Sequence, residues 1–314
     1  MRRLNGLAAV CALSVIFAAP AAQPVRAAGQ APVASTSTKP VGSTSVKRDA
    51  AAVLAAARQA LGGDAKLNGV TTLIASGRTR QVRGENLVPI EFEISIELPD
   101  KYLRRDEIPA QDSGPNASGF NGDDLVQDPP PPPMPVAPAG RADARGAGPG
   151  GLPRNPAAAR VVGLKQDFAR LMLGLFASSF SGYPLTFTYA AEAEAPQGTA
   201  DVLDVKGPNN FAMRFFIATD THLPIMVSWR PSTPARGGPG RIMMAPGTPP
   251  AGPPAPAAAP PENRLYFAEY RDVDGLQFPF RLRRAVGADT VEETTFDRFR
   301  VNAKIDPKKF EVRK

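Results

Sequence analysis

The sequence predicts a mainly β (α+β) protein: a single, strongly curved antiparallel sheet forming an open half-barrel, with two helices packed in its concave side. Three observations lead there. Apolar and polar residues alternate in segment after segment. In residues 91–98 Phe92, Ile94, Ile96 and Leu98 face one side while Glu91, Glu93, Ser95 and Glu97 face the other. A period of two with one wet face marks an antiparallel sheet covered on one side. Short turns such as Pro99-Asp100, Asn121-Gly122 and Asp274-Gly275 join the segments, as hairpins do. Only two helical patterns interrupt roughly ten strands, so a βαβ arrangement is excluded.

The first helix follows Asp49, a suitable N-cap. Val53, Leu54, Ala57 and Leu61 share a face, and Gly62-Gly63 ends it. Strands follow at 70–83, 91–98 and 101–108, with a shorter one at 119–127. The second helix spans residues 158–178. Val161, Leu164, Phe168, Leu171, Met172 and Leu175 recur at three- and four-residue steps, with Arg160, Lys165, Asp167 and Arg170 off that stripe. Such a helix can plug or cover a sheet. From Tyr183 onward the chain returns to strands. Leu185, Phe187 and Tyr189 alternate with threonines, and 200–206 follows. Phe211, Met213, Phe215 and Ile217 then face one side, and Asp220-Thr221-His222 turns into 224–230. Strands at 265–273, 278–283 (Phe278, Phe280 and Leu282 on one face) and 292–302 precede a short tail ending at Phe310.

Outside this pattern lie three kinds of segment. Arg2 and Arg3, the apolar run 7–19 and Val25-Arg26-Ala27 read as a signal peptide, residues 1–27, cleaved near Ala27. The run is shorter than the ~20 residues of a membrane span, so a periplasmic, exported protein without a transmembrane span is expected. The one cysteine, Cys11, lies in that segment, which leaves a cleaved chain without disulfides or thiolate ligands. Residues 28–47 read as a disordered leader. The domain occupies 48–314, with flexible proline-rich insertions at 128–157 and 231–262 that take up much of the 35 prolines. The formal charge of +7 falls to +4 once the three leader arginines are removed. With no Lys/Arg-dense run, a nucleic-acid partner is not expected.

Three stretches resemble the LolA/LolB lipoprotein-localisation superfamily, in its diverged outer membrane lipoprotein-sorting branch. The first is Ala60-Leu61-Gly62-Gly63 with Leu67, Val70 and Ser76-Gly77. The second is residues 215–225, with Asp220, Thr221 and Leu223-Pro224. The third runs from Tyr266 through Val273-Asp274-Gly275-Leu276 and Pro279-Phe280 to Val301-Asn302, Ile305-Asp306-Pro307 and Phe310. The resemblance implies an open antiparallel half-barrel with an apolar concave face closed by helices, and binding of acyl chains or another apolar ligand. The two proline insertions depart from the compact carriers, and no carrier gating residue maps onto this chain.

Catalytic constellations are not found. His222 is the sole histidine and sits in a turn, with no nucleophile beside it. The acids cluster as Asp123-Asp124, as Glu91, Glu93 and Glu97 on a wet strand face, and as Asp272 and Asp274 at a hairpin tip. None of these has the spacing of a metal site. Gly237-Gly238-Pro239-Gly240 precedes no helix, so it is not a phosphate cradle. No cofactor or metal is expected, and the chain reads as a non-enzyme. The residues that single themselves out are apolar: Leu164, Phe168, Leu171 and Leu175 on the second helix, with Phe187, Phe211, Phe215, Phe267, Phe278 and Phe280 on strands. They make either a packed core or the lining of a hydrophobic cleft. Two functions stay open: a periplasmic, monomeric binder of an apolar ligand, lipid acyl chain or lipidated protein, and a non-catalytic envelope protein whose proline-rich loops bind a protein partner.

Overall fold

The computed structural model describes residues 49–84, 86–109, 114–130, 156–195, 198–231 and 260–311. Residues 1–48, where the signal peptide and leader are expected, and the greater part of both proline-rich segments fall outside the described residues.

The chain enters through helix α1 (Ala50–Ala60), capped by Asp49, whose carboxylate accepts from the Ala51 N–H at 3.2 Å. A second short helix, α2 (Asp64–Asn68), follows at once. It corrects the expected pair of helices to three. Five residues are too few to display a 3.6-residue period, and α2 is held by tertiary contacts instead. Arg58 of α1 bonds Asp64 at its start and Asn68 at its end, the latter at 2.9 Å.

The strands are β1 (Thr72–Arg83), β2 (Asn86–Glu97), β3 (Lys101–Glu107), β4 (Asn116–Asn121) and β5 (Asp124–Asp128). After helix α3 (Pro156–Phe176) come β6 (Thr186–Ala195), β7 (Gly198–Gly207), β8 (Phe211–Ala218), β9 (Pro224–Trp229), β10 (Asn263–Val273), β11 (Leu276–Val286) and β12 (Asp289–Val301). A 3-10 turn, Pro307–Phe310, closes the tail. The short strand expected at 119–127, with its turn at Asn121-Gly122, is the hairpin of β4 and β5. The insertions are also narrower than expected, since Asp128 ends β5 while Pro156 and Ala157 open α3.

All twelve strands form one antiparallel sheet in the order β5-β4-β3-β2-β1-β12-β11-β10-β9-β8-β7-β6. Hairpins join the neighbours except β9 and β10, which residues 230–262 separate in the chain, and the closure between the two ends of the domain is β1 on β12, with Leu73 opposite Val301 and Gln81 opposite Glu292. The β5 and β6 edges do not pair, so the sheet stays open. Turn chemistry sets the hairpins. Asp274 (φ 57°) with Gly275 (φ 78°), and Asn209 (φ 55°) with Asn210 (φ 57°), adopt paired left-handed conformations, as type I′ turns require. Asn302 (φ 52°) locks the closure. Its carbonyl oxygen accepts from the Thr71 N–H at 2.8 Å, and its amide donates to Gly69 O at 3.0 Å.

The curvature follows from what α3 touches. Phe168 packs edge-on against Phe120 of β4 (ring centroids 5.5 Å apart). Two residues later, Arg170 lies over Trp229 of β9 at 4.2 Å. In a flat sheet β4 and β9, seven places apart in the order, would be about 34 Å apart at ~4.8 Å per strand. Two side chains separated by ~3 Å of helix rise reach both only because the sheet wraps around the helix. The concave face of β1, β2, β8, β11 and β12 and the buried sides of α1 and α3 make one core. Leu73, Ile96, Phe215, Phe278 and Met172 are among its fully buried members.

The convex face is wet but carries a small satellite core, where Ile305 and Phe310 of the tail cover Ile74, Leu103 and Val126. Here the alternation in β2 misleads at one place. Ser95 is 2% exposed, because the tail folds over it and Lys309 reaches Glu93 beside it at 2.7 Å.

Candidate functional site

The sheet bends far enough to leave a trough, and α3 lies in it. From Phe168 to Ala177 every residue of this stretch is buried. Gly174 seats the helix against the ring of Phe267, and the Tyr270 hydroxyl lies 2.8 Å from Pro224 O and 3.1 Å from Gly174 O. Phe176 meets Phe278 edge-on at 6.1 Å, and Phe278 stacks on Phe299 at 4.8 Å. The outer half of the trough is therefore solid. Seven residues singled out from the sequence, Phe168, Leu175, Phe211, Phe215, Phe267, Phe278 and Phe280, are buried members of this core. Phe187 is half-buried and borders a shallow groove beside Leu54 and Arg58 of α1.

The remaining two, Leu164 and Leu171 (the latter also a buried core member), line a cavity of about 390 Å³ under the N-terminal half of α3. Its floor is apolar: Ile90, Phe92 and Ile94 of β2, Leu282 of β11 and Phe296 of β12. Phe92 and Phe296 meet edge-on at 5.4 Å. Leu265 and Trp229 wall one end, while Tyr102, Arg104 and Asp106 of β3 wall the other. Gln81, Glu292 and Thr294 carry the floor into a polar rim at the ends of β1 and β12. Beneath that rim the buried Thr79 and Thr294 hydroxyls bond each other at 2.9 Å, so neither is left unpaired in the core.

Three arginines enter this cavity, and the sequence pattern had marked none of them. Arg104 lies over the Phe92 ring at 4.7 Å. Its Nε donates to Asp106 at 2.7 Å and its Nη2 to Thr79 Oγ1 at 3.3 Å. Burial opposes its charge, but Asp106, Tyr102 and Glu292 act together against burial and raise its pKa. Arg170, expected to lie off the apolar stripe, is instead only 8% exposed. The sheet wraps far enough round α3 to bring Trp229 (4.2 Å) and Phe211 (5.1 Å) onto its guanidinium. Its Nη1 donates to Asp167 at 2.8 Å, while its buried Nε has no hydrogen-bond partner among the described residues. Burial lowers its pKa, and Asp167 opposes that shift. Arg284 approaches the same indole from β11, at 5.6 Å. A signal for Arg170 was present in the sequence: one cation inside the otherwise apolar run 168–176 must find a partner or a polar cavity. For Arg104 and Arg284 only strand pairing shows that they converge.

The acids weighed for catalysis lie elsewhere. Glu97 pairs with Lys101 at 2.7 Å. Asp123 pairs with Lys165 at 2.6 Å, and Asp272 accepts from the Gly275 N–H at 3.1 Å. His222 is exposed at φ 57° in the turn between β8 and β9. Among the described residues no group of three or more His, Cys, Asp or Glu is placed to hold a metal ion. An apolar floor with polar groups at its two ends can hold and orient an amphipathic molecule.

No protein-family model matches the chain, and no curated protein matches it. Solved structures are similar in the course of the chain. A LolA superfamily protein from Nitrosomonas europaea aligns at TM-score 0.48 and 10% identity, over 84% of this chain and 98% of its own. A structure described as an outer membrane lipoprotein-sorting protein domain from Vibrio parahaemolyticus aligns at 0.43 and 10%, over 83% and 97%. A DUF1329 family protein from Desulfovibrio piger aligns at 0.42 and 8%, over 83% and 97%.

Proposed function

We propose that this protein binds an apolar ligand, an acyl chain of a lipid or of a lipidated protein, in the cavity beneath α3, and that it does so in the periplasm. The observation that carries the reading is the cavity itself. Its volume of about 390 Å³ lies within the usual range for small-molecule sites, and Phe92, Ile94, Leu171, Leu282 and Phe296 line its interior. The leader pattern in residues 1–27 supports export. Among the described residues, no helix is long and apolar enough to cross a membrane.

Burial of ten methylenes contributes about 8 kcal/mol at ~0.8 each. Ordering the chain and associating subtract from this, so dissociation constants from micromolar to hundreds of micromolar are expected. The test is a thermal-shift and calorimetric screen of twelve- to eighteen-carbon amphiphiles (a range set by what ~0.8 kcal/mol per methylene can support), together with extraction of lipid from the purified protein. Leu164→Glu, at a half-buried cavity position, should abolish acyl binding with the far-UV spectrum unchanged. If no amphiphile binds and no lipid is extracted, the reading is wrong. One observation favours a second reading, a non-catalytic envelope protein acting through a protein partner. Eight of the ten apolar residues expected at a cleft are buried members of the core around α3, so much of the trough is closed without a ligand.

A further inference from the structure

The Trp229 end of the cavity is built differently from the rest. Arg170 is a cation more than nine-tenths buried, and it meets one carboxylate, Asp167, through a single nitrogen, Nη1, at 2.8 Å. Asp167 is itself largely in solvent, its side chain 59% exposed. The Nε proton of Arg170 is buried without an acceptor among the described residues. A guanidinium carries five donors in a planar fork, so most of this one is unused, and an unsatisfied buried donor is costly. Arg284 adds a second guanidinium against the same indole, at 5.6 Å. It makes no hydrogen bond or ion pair among the described residues, although Glu292 is its cross-strand neighbour. Glu292 is instead approached by Gln81 and Thr294, each at 3.5 Å. The opposite end differs, since Arg104 is satisfied by Asp106 and Thr79. Two under-bonded guanidiniums stacked on one aromatic wall, at the end of an apolar floor, match a planar or tetrahedral oxyanion attached to a hydrocarbon chain.

We propose that the Trp229 end of the cavity is an anion subsite, in which Arg170 and Arg284 receive the carboxylate or phosphate head of an amphiphile whose chain lies on the Phe92–Phe296 floor. This rests on the cavity being a ligand site, and it adds the ligand's class: an anionic, not a neutral, amphiphile.

The experiment compares dodecanoate, dodecyl phosphate and 1-dodecanol, which share a chain and differ in the head. Titration calorimetry on the full protein gives the affinities, and the fluorescence of Trp229, the single tryptophan, gives the location. The two anions should bind at least about tenfold tighter than the alcohol. That margin should shrink with added salt. Arg284→Gln should remove the margin between the anions and the alcohol. A tighter dodecyl phosphate indicates a phospholipid-type head, and a tighter dodecanoate a fatty-acid carboxylate; either supports the subsite. Equal affinity for all three probes overturns the subsite and leaves the apolar cavity standing. So does a preference undiminished in Arg284→Gln. Failure of all three to bind overturns the ligand-binding reading itself. The wild-type comparison decides the matter even where a variant does not fold.

Discussion

Two glycines of the same helix should respond in opposite directions to the same substitution. Ala is favoured over Gly in a helix interior by about 1 kcal/mol. At Gly163, exposed on α3, an added Cβ meets no atom within 4 Å, so Gly163→Ala should realise that gain. At Gly174 the added Cβ would stand 2.5 Å from Cζ of Phe267 and closer still to Cδ1 and Cε1. Ordinary carbon contacts lie near 3.5–4.0 Å, so the ring must move by about 1 Å or more. It has little room, because Phe267 is 4% exposed and the helix is held at that point by the Tyr270 hydroxyl, 3.1 Å from Gly174 O. The upper end of the overpacking range, about 3 kcal/mol, therefore applies, and against the ~1 kcal/mol gain in propensity the net loss is about 2 kcal/mol. For a domain of this size each kcal/mol moves Tm by roughly 2–4 °C. Gly163→Ala should melt about 2–4 °C above the wild type and Gly174→Ala about 4–8 °C below it. Scanning fluorimetry with a parallel urea titration measures both. A Gly174→Ala protein as stable as the wild type would refute the close seating of α3 in the trough.

Asn302→Ala removes the bonds to Thr71 N (2.8 Å) and Gly69 O (3.0 Å) and puts alanine at φ 52°; a loss of about 2–3 kcal/mol is expected. Asn302→Gly should recover the backbone part, and a urea midpoint unmoved by either variant would contradict the β1–β12 closure. Burial raises the pKa of both Tyr102 and Tyr270. The folded state therefore favours the neutral phenols: their contribution is fully present below the unfolded value near 10 and is lost as pH climbs from there through the folded values. Stability should fall above pH ~10 by up to about 1.4 kcal/mol per pH unit for each tyrosine. Tyr270→Phe should flatten that slope in alkaline urea titrations, and an unchanged slope would count against its burial. His222→Ala should cost no more than about 1 kcal/mol, from an alanine in the left-handed region, and leave acyl binding unaltered. A selective loss of binding would place His222 in the site.

The strands were legible because one wet face imprints a period of two on the chain. Residues 91–98, 211–217 and 278–282 show it, and β2, β8 and β11 follow. Hairpin turns were legible because left-handed residues are chemically selected, as at Asp274-Gly275. The apolar stripe of α3 was legible from its 3.6-residue repeat. The α2 helix was not, since one and a half turns carry no period, and what fixes it is Arg58, whose bonds to Asp64 and Asn68 are a matter of tertiary placement. Ser95 escaped because its cover, the Pro307–Phe310 turn, lies more than two hundred residues away in the chain.

The sequence by itself determined the kind of sheet, its antiparallel order of hairpins and the plug helix, because each is written in local periodicity or in the presence of a residue type. Only the tertiary structure decided how far the sheet bends. That bend brings β4 and β9 to within two helical residues of each other, fills one half of the trough with Phe176, Phe267 and Phe278, and leaves the other half open above Phe92 and Phe296. It also turns Arg170 from a surface cation into a buried one facing Trp229. Curvature sums small twists over twelve strands, and no window of sequence contains that sum.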